Sequence, residues 1–257
     1  MYLKYLYRLI LKEPNMITIS NRGSGINSTA GTTHTITPSS NCTTGALLIL
    51  FLVYENSASS GGDPFRSVTD SSGNAWLSIL NNNNTSGSPS DGTSLRSYST
   101  SQAGGTLGTS STITIEFFNT VSAFTYVLYE ATAGGLLTII DSGTTTGSGM
   151  TPSITSNTIE NNNAILSVCG RNSNSLIGDD TDSVNGSWST GVQQTKTVVT
   201  LYQQIHTQHK VVNANGTQTY NPSILVSSKF NLGWIEINEE ITAIKSPYFI
   251  SWVMTSY

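Results

Sequence analysis

Charge is what this sequence has least of. Eleven Lys and Arg and fifteen Asp and Glu are spread over 257 residues, so 10% of the chain is charged against about 25% in ordinary soluble domains. No basic cluster lies beyond the first dozen residues. The chain thus lacks the cationic stripe that displaces counterions from phosphates, and a nucleic-acid surface is not expected. Cysteine is nearly absent, with only Cys42 and Cys169 far apart in the chain. Two such residues make neither a disulfide framework nor a C-x-x-C zinc or redox pair; two half-buried small apolar residues are expected, with a single long-range bridge as the other reading. No apolar run approaches the roughly 20 residues that a membrane-spanning helix needs. G-x-S-x-G, the strained turn that presents a hydrolase serine, is missing, as is the phosphate-cradling G-x-x-x-x-G-K-[ST].

Ser, Thr, Asn and Gly fill the gap left by charge. They solvate a surface without charge and suit strands and turns, because Ser and Asn compete with helical backbone bonds and Gly loses more entropy there. From Met16 the chain is a series of short apolar runs between turn-forming clusters. Thr112 to Phe118 alternates, with Ile113, Ile115 and Phe117 on one side and Thr114 and Glu116 on the other, which marks a strand with one face buried. Ala46 to Val53 is continuously apolar and predicts a central strand covered on both faces. Further strands are predicted at Thr33–Thr37, Ala75–Leu80, Ser94–Ser99, Ala123–Glu130, Leu136–Ile140, Ala164–Cys169, Thr197–Ile205, Ile224–Phe230, Trp234–Ile237 and Tyr248–Thr255. Asn215–Gly216, between VVNA and TQTY, predicts a two-residue hairpin whose central residues need positive φ. Ser72–Gly73–Asn74 and Asp91–Gly92 mark tight turns, while Asn81–Asp91 and Gly143–Ser153 read as surface loops. No internal repeat is evident. Residues 16–257 read as a single all-β domain, an antiparallel two-sheet β-sandwich of jelly-roll type.

Residues 1–15 differ. In MYLKYLYRLILK, Lys4, Arg8 and Lys12 recur every four residues opposite Leu3, Leu6 and Ile10, a short amphipathic helical arm with a basic stripe that Glu13 and Pro14 end. Arg8 interrupts the apolar run and no small-residue cleavage site follows, which argues against a signal peptide. The arm is expected to dock on a neighbouring subunit or lie on a membrane surface; the other reading is an upstream extension, with synthesis starting at Met16.

Residues that carry chemistry are few. The histidines are His34, His206 and His209. The last two would meet on a helix, but TVVTLYQQIHTQHKVV reads as strand, where residues three apart face opposite ways. Two ordinary strand-end histidines are expected there, not a metal pair. In GDDTDSVNG, Asp180 and Asp182 are the candidates for holding a loop cation. Val184 falls where an EF-hand loop needs its third ligand and no bidentate Glu follows, so an acidic surface turn is the favoured reading. Glu116 and Glu130 fall on strands predicted to be neighbours and could be drawn as a carboxylate pair for sugar hydrolysis, a weak signal because among fifteen acids some pair is always close. Trp76, Trp188, Trp234 and Trp252 are read as core fillers ahead of sugar-stacking platforms. The Asn-x-Ser/Thr triplets at Asn27, Asn41, Asn84, Asn185 and Asn215 follow from composition. No catalytic, cofactor-binding or metal residue is assigned, and no enzyme activity is expected.

The run from Ala46 to Tyr54, then SVTDSSGNAW from Ser67, STITIEFF from Ser111 and AFTYVLYEATAGG from Ala123 together resemble the β-sandwich proteins encoded by tailed phages. The similarity covers residues 30–140, and such proteins are typically head decoration proteins, head fibres or tail-associated adhesins. The resemblance implies a virion structural subunit that docks on a capsid or tail shell, assembles as a homo-oligomer, and spans no membrane. It carries no functional residue over: Asp70 and Asn74 would shape a turn and Trp76 would pack under it. The alternative is a lectin-like, carbohydrate-binding adhesin module that meets a host surface glycan.

Overall fold

The computed structural model describes residues 16–27, 29–56, 63–84, 92–198 and 201–240. The predicted arm at 1–15, the strand at Tyr248–Thr255, Trp252 and Asp91 lie outside these residues. Among the described residues the chain is all-β, with every pairing antiparallel and no helix. The strands are β1 (Thr18–Asn27), β2 (Gly31–Ile36), β3 (Leu47–Glu55), β4 (Phe65–Asp70), β5 (Leu77–Asn84), β6 (Thr93–Thr100), β7 (Ile113–Val121) and β8 (Phe124–Thr132). After these come β9 (Leu136–Gly149), β10 (Ile154–Ile159), β11 (Ala164–Arg171), β12 (Ile177–Gly178), β13 (Val192–Val198), β14 (Leu201–Val211), β15 (Gly216–Tyr220), β16 (Ser223–Ile224) and β17 (Ser228–Glu240).

The strand order overturns the expectation of a chain without a repeat. β1 to β8 form a five-stranded sheet, β1-β8-β3-β6-β5, and a three-stranded sheet, β2-β7-β4. β9 to β17 repeat the plan: a five-stranded sheet β9-β17-β11-β14-β13, with β10-β15 and β12-β16 as two short ribbons. The single strand β7 of the first half corresponds to β15 and β16, which divide its two pairings between them. Unit 1 (β1–β8) and unit 2 (β9–β17) therefore share one topology, joined at Ala133–Gly135.

The layers follow from where apolar side chains point. The inner faces of the two five-stranded sheets meet through Leu47, Ile49, Phe51 and Val53 of β3, Tyr129 of β8, Leu166 and Val168 of β11, and Ile235 and Ile237 of β17. The opposite face of β3, carrying Leu48, Leu50, Leu52 and Tyr54, packs under Ile113, Ile115 and Phe117 of β7. This explains the continuous apolar run: β3 is buried along its whole length, as expected for a strand covered on both faces. On the far side of unit 2, Ile165, Cys169, Leu232 and Trp234 pack under Ile154, Tyr220 and Ile224.

Several boundaries differ from expectation. Asn81–Asn84 and Gly143–Gly149 are strand, not loop, because Asn82 and Asn84 donate their side-chain amides to the Thr145 and Gly147 carbonyls and hold β5 against β9. Thr197–Ile205 covers the end of β13 and the start of β14, and Ile224–Phe230 straddles β16 and β17. No hairpin forms at Asn215–Gly216: β15 pairs with β10, neither residue has positive φ, and the Asn215 side chain instead accepts the Asn161 N–H at 2.7 Å. The turn after β4 forms as expected. Gly73 has φ +73°, and Asp70 Oδ1 accepts the Ser72 N–H (2.7 Å) and the Asn74 N–H (3.3 Å). Asp70 Oδ2 accepts Trp76 Nε1–H at 2.7 Å, and Asn74 Oδ1 holds the N–H groups of Gly104 and Gly105. Asp70→Ala leaves the Ser72, Asn74 and Trp76 donors without their acceptor and should cost about 1–3 kcal/mol; an unchanged urea midpoint would contradict this account of the turn.

Candidate functional site

Most residues that could carry chemistry gather on the outer face of the second five-stranded sheet. His206, Gln208 and Lys210 alternate along β14, so all three project the same way, beneath the chain from Asp179 to Gly191. His206 Nε2 donates to Asp179 Oδ1 (2.9 Å), and its Nδ1 accepts from the Tyr220 hydroxyl (2.8 Å). With the Asp179 carboxylate as acceptor, a neutral ring here carries its proton on Nε2. Gln208 acts as a substitute strand partner: its Oε1 accepts the Asp180 N–H, and its Nε2 donates to the carbonyls of Asp180 and Ser189.

Lys210 completes the strap. It is 2% exposed, and Nζ donates to the carbonyls of Val184 (3.0 Å) and Gly186 (3.4 Å) and lies 4.6 Å from the centre of a Trp188 ring. Burial lowers its pKa, while the Asp182 and Asp180 carboxylates act to raise it. The acids proposed as cation ligands are engaged with backbone: Asp180 accepts the N–H groups of Asp182 and Asn221 at 2.8 Å each, and Asp182 accepts that of Val184 at 3.0 Å. With its amide NH2 turned toward the carboxylate, Asn221 donates to Asp180 as well. The positive charge held by this acidic loop is the chain's own ammonium, set among carbonyls and an aromatic face. Among the described residues, no group of three or more His, Cys, Asp or Glu is arranged to hold a metal.

The other candidates are separated or enclosed. His209 lies on the opposite face of β14, edge-on to Tyr129 with ring centres 5.9 Å apart, so the two histidines do face opposite ways. Both sit within the strand, however, not at its end. Glu116 is on β7 of the three-stranded sheet and Glu130 on β8 of the five-stranded sheet, so they are not on neighbouring strands. Glu130 is 1% exposed and receives the Arg22 guanidinium and the N–H and hydroxyl of Thr43; Glu116 accepts from the Ser67 hydroxyl. Trp188 and Trp234 are core and Trp76 is partly buried against it. Both cysteines are free and buried, and burial first of all pushes the Cys42 thiol up to about 11 and the Cys169 thiol up to about 12.

Arg171 was not anticipated. It is fully buried at the end of β11, with Nε donating to Gln204 and Nη2 to Ser173 Oγ and the Ser175 carbonyl. No carboxylate pairs with it among the described residues, and burial lowers its pKa. The only sequence signal was a lone arginine closing an apolar strand. No protein-family model, curated protein or solved structure matches this chain.

Two outcomes follow. Lys210→Met removes the charged donor from two partly buried carbonyls and should cost about 1–3 kcal/mol, with faster amide exchange over residues 184–189; unchanged exchange there would refute the strap. Burial also lowers the pKa of His34, His206 and His209 below the ordinary 6.5. The unfolded chain then binds protons first as pH falls, so stability is full above about pH 6.5 and declines through the lowered folded values. Urea midpoints on either side of that window test the sign, and a midpoint that rises on acidification contradicts it.

Proposed function

We propose that this chain is a structural subunit of a tailed-phage particle, a head decoration, head fibre or tail-associated protein that acts by docking and assembly and not by catalysis. The observation that carries the reading is the duplicated strand order. A β1-β8-β3-β6 sheet facing β2-β7-β4 follows the jelly-roll path, with β5 moved to the edge beside β6; jelly rolls are recurrent in viral shells and in lectins. The shell reading is favoured over an enzyme because, among the described residues, buried ionisable side chains on the outer face of unit 2 fasten loops, as at Lys210 and Arg171. Residues 1–15 are the proposed docking arm, and the assembled form is a homo-oligomer on a symmetric lattice.

Cryo-imaging and mass spectrometry of particles from the source should find this chain at a fixed copy number, and its absence from purified particles would overturn the proposal. A chain lacking residues 1–15 should fail to occupy those particles, whereas undiminished occupancy would remove the arm from the account. A second reading, a lectin-like adhesin, draws on a small open recess between Ser148, Asn172, Ser227, Ser228 and Lys229, close to exposed Leu225 and Val226. A glycan array separates the two, since a purely architectural subunit leaves it blank.

A further inference from the structure

The two units meet as the halves of a two-fold dimer do. The buried acids Glu130 and Glu236 align them: Glu130 pairs with Leu48 on β3, and Glu236 with Ile165 on β11. In this alignment Val53 corresponds to Gly170, Leu95 to Ile205, and Thr93 to Gln203. In an isologous contact, residues on the axis meet their own counterparts. That is found here twice. Thr93 Oγ1 donates to Gln203 Oε1 at 2.8 Å, and a Cβ on Gly170 would lie 2.7 Å from Val53 Cγ2. Off the axis, the contacts come in reciprocal pairs. Asn82 on β5 bonds Thr145 on β9, and its counterpart Gln194 on β13 bonds Ser24 on β1, the counterpart strand of β9.

The side chains across this seam are not alike. Unit 1 presents Leu47, Phe51, Val53 and Val127, while the same positions in unit 2 are Ala164, Val168, Gly170 and Gly233. A Cβ on Gly233 would lie 2.6 Å from Leu80 of unit 1. Polar groups diverge as well. Tyr129 of unit 1 bonds the Thr207 hydroxyl across the seam at 2.8 Å. The counterpart of Tyr129 is Ile235, and Ser97 Oγ, the counterpart of the Thr207 hydroxyl, is buried without a partner.

We infer that the seam is a dimer-type, isologous interface closed within one chain and made one-sided, so that unit 1 fits unit 2 and neither fits a copy of itself. Unit 1 against unit 1 would set Val53 against Val53 where the fold leaves room for one such side chain. Unit 2 against unit 2 would set glycine against glycine and leave a void, which close-packed interiors do not tolerate cheaply. The surface on each unit is thus specific for the other unit of this chain or of a second copy. This inference does not rest on the proposed function.

Two experiments on the full chain test it. With a protease site placed in Ala133–Gly135, the cut protein should still elute as a single species of uncut mass; separation or precipitation of the halves would overturn a self-sufficient seam. Two cut preparations bearing different tags on unit 1, unfolded and refolded together, should each retain unit 2 without the tags co-purifying, and co-purification of the two tags would refute one-sidedness. In the uncut chain, Gly170→Ala and Val53→Ala should each lower the urea midpoint, and the double variant should recover most of the Gly170→Ala loss. A purely additive double variant means that the two residues do not share space and overturns the axis contact.

Discussion

The central strands β3 and β11 of the two five-stranded sheets are covered on both faces, and most other features of the molecule answer to that constraint. A sheet open to water on one side can leave its outward residues polar and hydrated. Here every residue of β3 and β11 is buried, so each side chain must be apolar or must find a partner inside the protein. Each outer covering is a thin layer of short strands and loops, and the two units solve the problem differently.

On β3 unit 1 solves it chiefly with hydrocarbon. The outward positions of β3 are Leu48, Leu50, Leu52 and Tyr54, under a cluster of Phe65, Phe117 and Phe124. At the counterpart positions of β11 unit 2 has Ile165, Ser167, Cys169 and Arg171. Next to them on β14 stand His206, Gln208 and Lys210. Its covering chain, from Asp179 to Gly191, carries little regular structure, so its carbonyls and N–H groups lack ladder partners. The polar side chains of β14 supply them. Each polarity is the condition of the other: a hydrocarbon face under this loop would leave its backbone unsatisfied, and these side chains under a regular strand would have nothing to bind. The match is incomplete at Ser167, whose buried hydroxyl has no partner.

The same contrast explains what could be read from the sequence. The all-β class, the central place of Ala46–Val53, the alternation of Thr112–Phe118 and the Asp70–Asn74–Trp76 turn were legible because each rests on local pattern or local bonding. The duplication was not, because many counterparts keep their direction and not their chemistry: Val53 and Gly170, or Arg96 and His206, share a place in the sheet but no residue class. Asn215–Gly216 misled for a related reason. Its dipeptide favours a hairpin, yet β15 is drawn to β10 by the need to cover the outer face, and tertiary packing overrides the turn. In the candidate site, the opposite facing of His206 and His209 was legible from period two alone. The role of Lys210 was not, since its partners are carbonyls some twenty-five positions upstream and carbonyls have no sequence signature.

Scarcity of charge then takes on a structural meaning. Lys210 and Arg171 are held chiefly by neutral acceptors, and the buried acids Glu236 and Asp180 by neutral donors. A buried ion pair must offset the desolvation of two ions, whereas an ion among oriented amides and carbonyls needs only one to be desolvated and uses dipoles already fixed by the sheet. Such a site works only where the backbone around it is rigid, because a carbonyl that moves by an ångström no longer solvates the ion. The two-sided burial of the central strands provides that rigidity. The charged residues are few, and Lys210 and Arg171 each tie an irregular stretch of chain to a buried strand of unit 2.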